Sequence, residues 1–206
     1  PCEYNGIKFF NGEGYKLSDE IENEIEEYIE GRKVIDELPT HGKVGYVSAN
    51  HNAVEDYVSF AISTIDTNLE GLKIAIDCAN GASYQTAFKA LNKLGANVEA
   101  IHNTPDGVNI NDKCGSTHMK SLQDYVVSIG ADIGIAFDGD ADRMLAVDEK
   151  GNLIDGDQIM AACAHHMMQE GKLKKNTLVS TVMSNLGLFI AGEKLGINIP
   201  RTKVGD

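Results

Sequence analysis

The densest chemistry in the chain lies in seven residues, Phe137-Asp138-Gly139-Asp140-Ala141-Asp142-Arg143. Three carboxylates stand at alternate positions, separated only by Gly139 and Ala141. Carboxylates so close repel one another: two unit charges about 4 Å apart interact by roughly 4 kcal/mol at an effective dielectric of about 20. A cation must offset that repulsion. A hard, oxygen-seeking ion such as Mg²⁺ does so best, and the small spacers let the backbone fold around it. Arg143 adds a planar cation whose fork geometry suits a pair of phosphate oxygens. The bland alternative is a solvated acidic turn between two strands, but three aspartates at alternate positions are uncommon in such turns. An EF-hand loop would use Asp138, Asp140 and Asp142 at its first, third and fifth positions and Glu149 at its twelfth. Its sixth position needs glycine and is Arg143 here, and a strand rather than a helix leads in, so that reading is set aside.

The elements that must position this loop read clearly. Ile133-Gly134-Ile135-Ala136-Phe137 is a compact apolar run of the buried-strand type, and a second strand over 144–148 carries the chain away. Upstream, the pattern predicts a strand over 73–77, a helix over 82–94 closed by Gly95, a strand over 98–102 and a helix over 119–129 ended by Gly130. Downstream of the turn at 149–152 it predicts a helix over 154–168, a strand over 178–182, a helix over 186–195 and a strand over 197–200. Strands alternating with helices imply successive layered α/β domains with mixed sheets flanked by helices. Before them, residues 7–10 suit a short strand that turns at Asn11-Gly12. Ser18 suits a helix N-cap, with Ile21, Ile25, Tyr28 and Ile29 on one face. A second amphipathic helix is expected over 52–65, with Val54, Tyr57, Val58, Ala61, Ile62 and Ile65 in helical register. The hexapeptide 93–98 recurs at 194–199, an offset of 101 residues, each copy closing a helix with glycine and entering a strand. Two successive domains of one fold would produce such a repeat.

Composition narrows the function. The 206 residues suffice for one large or two small cores, at 42% hydrophobic content. No apolar run is long enough for a membrane span, and no signal peptide is evident. A net charge of −13 argues against nucleic acid or an anionic membrane as the main partner, because phosphate backbones are gripped by positive surface. A small phosphorylated ligand needs only a few local cations. Cys2, Cys78, Cys114 and Cys163 are far apart with no C-x-x-C spacing, the pattern of reduced thiols in a cytoplasmic protein. Cys114 has no second thiol near it in sequence, which argues against zinc. His165 and His166 are adjacent on a helix and face different ways, so a paired metal site there is not expected. The chain starts at Pro1 and ends at Asp206 without terminal character, which reads as a piece of something longer.

Three stretches together resemble the α-D-phosphohexomutase superfamily. Asp138-Gly139-Asp140-Ala141-Asp142-Arg143 is similar to that family's metal loop. Glu3-Tyr4-Asn5-Gly6-Ile7-Lys8 is similar to the segment after its phosphoserine loop. The stretch 109–118, Asn-Ile-Asn-Asp-Lys-Cys-Gly-Ser-Thr-His, looks like the phosphoglucosamine branch. The resemblance implies a tail of domain 1 over 1–66, a complete domain 2 over 67–153 and the first part of domain 3 over 154–206, without the phosphoserine or the fourth domain. It implies that glucosamine 6-phosphate and glucosamine 1-phosphate are interconverted through a phosphoserine and a bisphosphate, toward UDP-N-acetylglucosamine and the cell wall. Mg²⁺ would sit on Asp138, Asp140 and Asp142, with Arg143 and Lys8 as catalytic groups and Lys203 and His118 facing the hexosamine phosphate. A homodimer is the assembly the resemblance suggests. Lys8 as an exposed lysine, Lys203 in a truncated motif and His118 as a structural hydrogen-bonding group are the competing readings. Phosphomannomutase or phosphoglucomutase activity, or a non-catalytic metal- or phosphosugar-binding fragment, are the alternatives for the whole. A phosphatase of the haloacid dehalogenase type is disfavoured, because its loop follows the first strand and has Thr or Val where Asp142 stands.

Overall fold

The computed structural model describes residues 2–4 and 6–204. Pro1, Asn5 of the 3–8 motif, and Gly205 and Asp206 after Lys203 lie outside the described residues. The chain divides into two compact units, Cys2–Asn52 and Ala53–Asp206.

In the N-terminal unit the Asn11 carboxamide oxygen accepts the backbone N–H groups of Glu13 and Tyr15, at 2.9 and 3.0 Å. That turn leaves room for one rung, so the strand expected over 7–10 is reduced to a single bridge between Phe10 and Lys16. Helix α1 (Asp19–Ile29) begins after Ser18 with Asp19, Glu20 and Glu22 in its first turn, where the helix dipole favours negative charge. Its expected apolar face forms, yet Ile21 and Ile29 stay 47% and 78% exposed.

The second unit opens with α2 (Ala53–Ser63) and is built on a five-stranded sheet: β1 (Lys73–Asp77), β2 (Asn97–Ile101), β3 (Ile133–Phe137), β4 (Met144–Asp148) and β5 (Leu153–Ile154). The spatial order is β2-β1-β3-β4-β5. The first three are mutually parallel and the last two antiparallel to their neighbours, giving the mixed sheet that was expected. Parallel neighbours require crossovers, and helices α3 (Thr86–Lys93) and α4 (Lys120–Ile129) supply them. Alternation along the strands assigns the two faces. Ile74, Ile76 and Cys78 with Ile133 and Ile135 pack toward Ala87 and Leu91 of α3. Ala75 and Ala136 pack instead with Leu122 and Val126 of α4. The helix expected over 82–94 is split into a 3-10 turn, Ala82–Tyr84, and α3.

Beyond the sheet, Asp155 caps α5 (Gly156–Gln169) in a capping box with Gln158. Because Ile154 pairs in β5 and Asp155 caps, the helix starts two residues later than expected. Helix α6 (Leu186–Leu195) spans the expected residues. Strand β6 (Ser180–Thr181) is shorter than the 178–182 expected, and the strand expected over 197–200 is displaced: β7 spans Arg201–Thr202, and within 197–200 a single bridge joins Asn198 to Thr177. Pro200 has no N–H to give, so β7 begins after it, although its carbonyl still accepts from Ser180.

The repeat is structural as well as sequential. Ala96 N–H reaches back to the Leu91 carbonyl, and 101 residues later Ile197 N–H reaches the Gly192 carbonyl. Gly95 and Gly196, at φ 94° and 73°, make the left-handed turn that both copies need. Each copy then enters a parallel pairing, Lys73 with Asn97 and Thr177 with Asn198.

Candidate functional site

The loops after β1, β2 and β3 meet at the carboxyl edge of the parallel strands, where open α/β sheets place their ligand sites. The β3–β4 loop is a tight turn. Ala141 N–H donates to the Asp138 carbonyl at 3.0 Å, and Asp138 N–H donates to the Arg143 carbonyl at 3.2 Å. Ala141 is left-handed at φ 59°, an unfavourable conformation for a residue with a Cβ. Gly139 is buried: a Cβ there would lie 2.5 Å from Asn111 Nδ2 and 2.8 Å from Ile110. Its carbonyl accepts the Ala82 N–H at 2.8 Å, tying this loop to the one after β1. The 109–118 stretch therefore buttresses the acidic loop through Ile110 and Asn111.

The three aspartates differ in setting. Asp138 is 4% exposed, and its carboxylate accepts Arg143 Nε at 2.9 Å and the Arg143 backbone N–H at 3.2 Å. Asp142 approaches the same Nε at 3.5 Å, while Asp140 is exposed. Two of the carboxylates thus converge on one cationic group, and that group is the arginine. All donors in the loop are carboxylate oxygens, a set that fits a hard divalent ion and not a soft one.

The other predicted residues have these settings. His118 is exposed and its Nδ1 lies 3.1 Å from Thr117 Oγ1, a local contact. Lys203 is exposed just beyond β7, next to Arg201, whose guanidinium stacks 3.8 Å from the Phe189 ring centre. Lys8 is exposed in the N-terminal unit.

A cluster that spacing alone does not suggest lies at the same sheet edge. Asp77, at the end of β1, is fully buried. One of its oxygens accepts the Ala79 N–H at 2.9 Å; the other accepts the Gly115 N–H at 2.9 Å and faces His102 Nδ1 at 2.9 Å. Cys114 is fully buried beside it, and ligand atoms of Asp77, His102 and Cys114 all lie within 4.8 Å of one another. Among the described residues this is the group of three metal-ligating side chains drawn that close together. Burial pushes the Cys114 thiol up to about 11, with the Asp77 charge adding to the effect. The available signal was a charged residue ending an apolar strand, Lys-Ile-Ala-Ile-Asp, with only Cys78 and Ala79 between it and the Asn80-Gly81 turn.

Comparison with known proteins matches this arrangement to a described family. The pattern described as phosphoglucomutase/phosphomannomutase, alpha/beta/alpha domain II, matches residues 52–151, which hold strands β1 to β4 of the sheet and the acidic loop. Domain III of the same family matches residues 155–206. The chain belongs to the phosphoglucomutase/phosphomannomutase family. Among its relatives, the phosphoglucosamine mutases of Clostridium novyi, Clostridium acetobutylicum and Acetivibrio thermocellus are 59%, 58% and 57% identical over the whole of this chain. The chain spans about half the length of these curated relatives, 46% in each case. A phosphoglucomutase/phosphomannomutase family protein of Burkholderia thailandensis shares the fold, with a TM-score of 0.67 at 23% identity, over 92% of this chain and 40% of that one. The two family domains each contain one copy of the internal repeat.

Proposed function

We propose that this phosphoglucomutase/phosphomannomutase family chain serves a phosphosugar mutase that interconverts glucosamine 6-phosphate and glucosamine 1-phosphate. The observation that carries this reading is the identity of 56% or more, over the full chain, with proteins named phosphoglucosamine mutase. The same reading divides the chain at 66/67 and 153/154.

Phosphoryl transfer depends on neutralising and positioning charge more than on covalent work by the protein. Asp138, Asp140 and Asp142 would hold Mg²⁺, which when bound supplies positive charge against the oxygens of the phosphoryl group. Asp138 also orients the Arg143 guanidinium, whose side chain is 78% exposed and free to present its remaining N–H groups to phosphate. Lys8 would steady the phosphate, and Lys203 and His118 would face the sugar phosphate. Asn111 and Ile110 keep the turn in shape.

The test is product formation. A protein of the relatives' length carrying this sequence should convert glucosamine 6-phosphate faster than the mannose or glucose phosphates, followed by ³¹P NMR. Asp140→Ala should abolish turnover; full activity in that variant would remove the metal assignment. Equal or greater turnover of mannose 6-phosphate would favour the phosphomannomutase alternative.

A further inference from the structure

We infer that Asp77, His102 and Cys114 form a second metal site, of the zinc type, separate from the all-oxygen loop. The donor chemistry makes the distinction. Imidazole nitrogen, thiolate sulfur and a carboxylate oxygen are the ligands of Zn²⁺, whereas Mg²⁺ takes oxygen alone. The three side chains are brought together by the fold, from the end of β1, the end of β2 and the loop before α4, with their ligand atoms within 4.8 Å of one another.

Charge points the same way. Asp77 is fully buried, and among the described residues its recorded ion-pair partner is His102; no lysine or arginine is recorded against it. Buried carboxylates are normally paired with a cation or bound to a metal. Its three accepted hydrogen bonds leave capacity, because a carboxylate offers about four lone-pair positions. The 2.9 Å contact between Asp77 and His102 Nδ1 is where an ion would replace the shared proton. On binding, the Cys114 thiol releases its proton to solvent as the thiolate takes the metal, while neutral His102 carries its proton on Nε2, so that the Nδ1 lone pair turns toward the metal. Asp77 and Cys114 are closed off, but the His102 side chain is 32% exposed and provides the route in. Three protein ligands leave a fourth position for water, so the ion is exchangeable.

Co²⁺ is the probe, titrated into the 206-residue chain in excess Mg²⁺ so that the acidic loop is occupied. One Co²⁺ per chain should bind with a near-ultraviolet thiolate-to-cobalt charge-transfer band and tetrahedral visible bands, both bleached by Zn²⁺. Cys114→Ser should remove the charge-transfer band. His102→Asn, which keeps an amide beside Asp77, should weaken binding by about tenfold or more at unchanged thermal stability. Should Cys114→Ser fail to fold, His102→Asn alone decides. The site is refuted if the chain shows no charge-transfer band, if the band survives Cys114→Ser and so belongs to another thiol, or if Asp140→Ala removes it. None of these results depends on the mutase reading.

Discussion

Gly139 has no room for a side chain, and that shortage of space shapes the acidic loop. Any Cβ would press on Asn111 and Ile110, both held in place by their own loop. At Gly81 a Cβ would run into the Gly139 backbone itself, which cannot yield as a flexible side chain does. Gly139→Ala should therefore cost about 1–3 kcal/mol, as overpacking of a tight interior does. The variant's Mn²⁺ affinity, read by electron paramagnetic resonance, should fall with its melting temperature; unchanged values for both would show that the loop tolerates displacement. The thiols divide in the same way by setting. Cys78 and Cys114 are buried and both pushed up to about 11, while Cys163 is exposed. Iodoacetamide at neutral pH should label Cys163 in the native chain and spare Cys78 and Cys114, as peptide mass mapping would show. Because their ordinary value of 9.0 applies once the chain unfolds, unfolded thiolates form first as pH rises. Stability should thus decline between about pH 9 and 11, and Cys78→Ala should reduce that decline.

At the scale of elements, α2 is held to α3 partly by charge. The Glu55 carboxylate accepts Lys89 at 2.6 Å and Lys93 at 2.7 Å, two lysines one turn apart on α3. Hydrogen bonds from Lys89 and Lys93 lower the Glu55 carboxyl from 4.5 to about 2. A depressed carboxyl stabilises the fold above its unfolded value and loses that contribution as pH falls through its folded value. The α2–α3 contribution should be intact above about pH 4.5 and disappear toward pH 2, and Glu55→Gln should flatten the acid limb of the unfolding profile. Its size at neutral pH should be small, since exposed pairs are well screened by water. Elsewhere α4 lies tightly on the sheet. A Cβ at Gly134 of β3 would stand 2.5 Å from Val126 and 3.2 Å from both Leu122 and Val147. Gly134→Ala should lower the denaturation midpoint more than any alanine placed on the exposed face of α4.

Across the whole molecule, burial is uneven. The central strands β1 and β3 carry both apolar clusters, whereas no described residue of the unit Cys2–Asn52 is buried. Amide exchange should be slowest in β1 and β3 and fastest over 31–52, where little regular structure protects the backbone. No helix among the described residues is long and apolar enough to cross a membrane.

Local pattern determined a large part of this protein. The strands 73–77, 133–137 and 144–148 and the helix 186–195 lie where apolar runs, caps and glycines put them, because each is fixed by its own residues. The acidic loop was legible for the same reason: its three carboxylates and Arg143 are neighbours in sequence, and its membership of a mutase-like motif needs no partner from elsewhere. The edges of 178–182 and 197–200 were not, since their extent depends on hydrogen bonds across the pair and on Pro200. Only the folded structure shows that the Arg143 side chain turns back onto Asp138 and that Asn111 buttresses Gly139. It alone joined Asp77 to Cys114, which sequence spacing had left as an isolated thiol. Such contacts link residues 25 to 38 positions apart through strand order and register, and no local periodicity encodes which loop ends beside which.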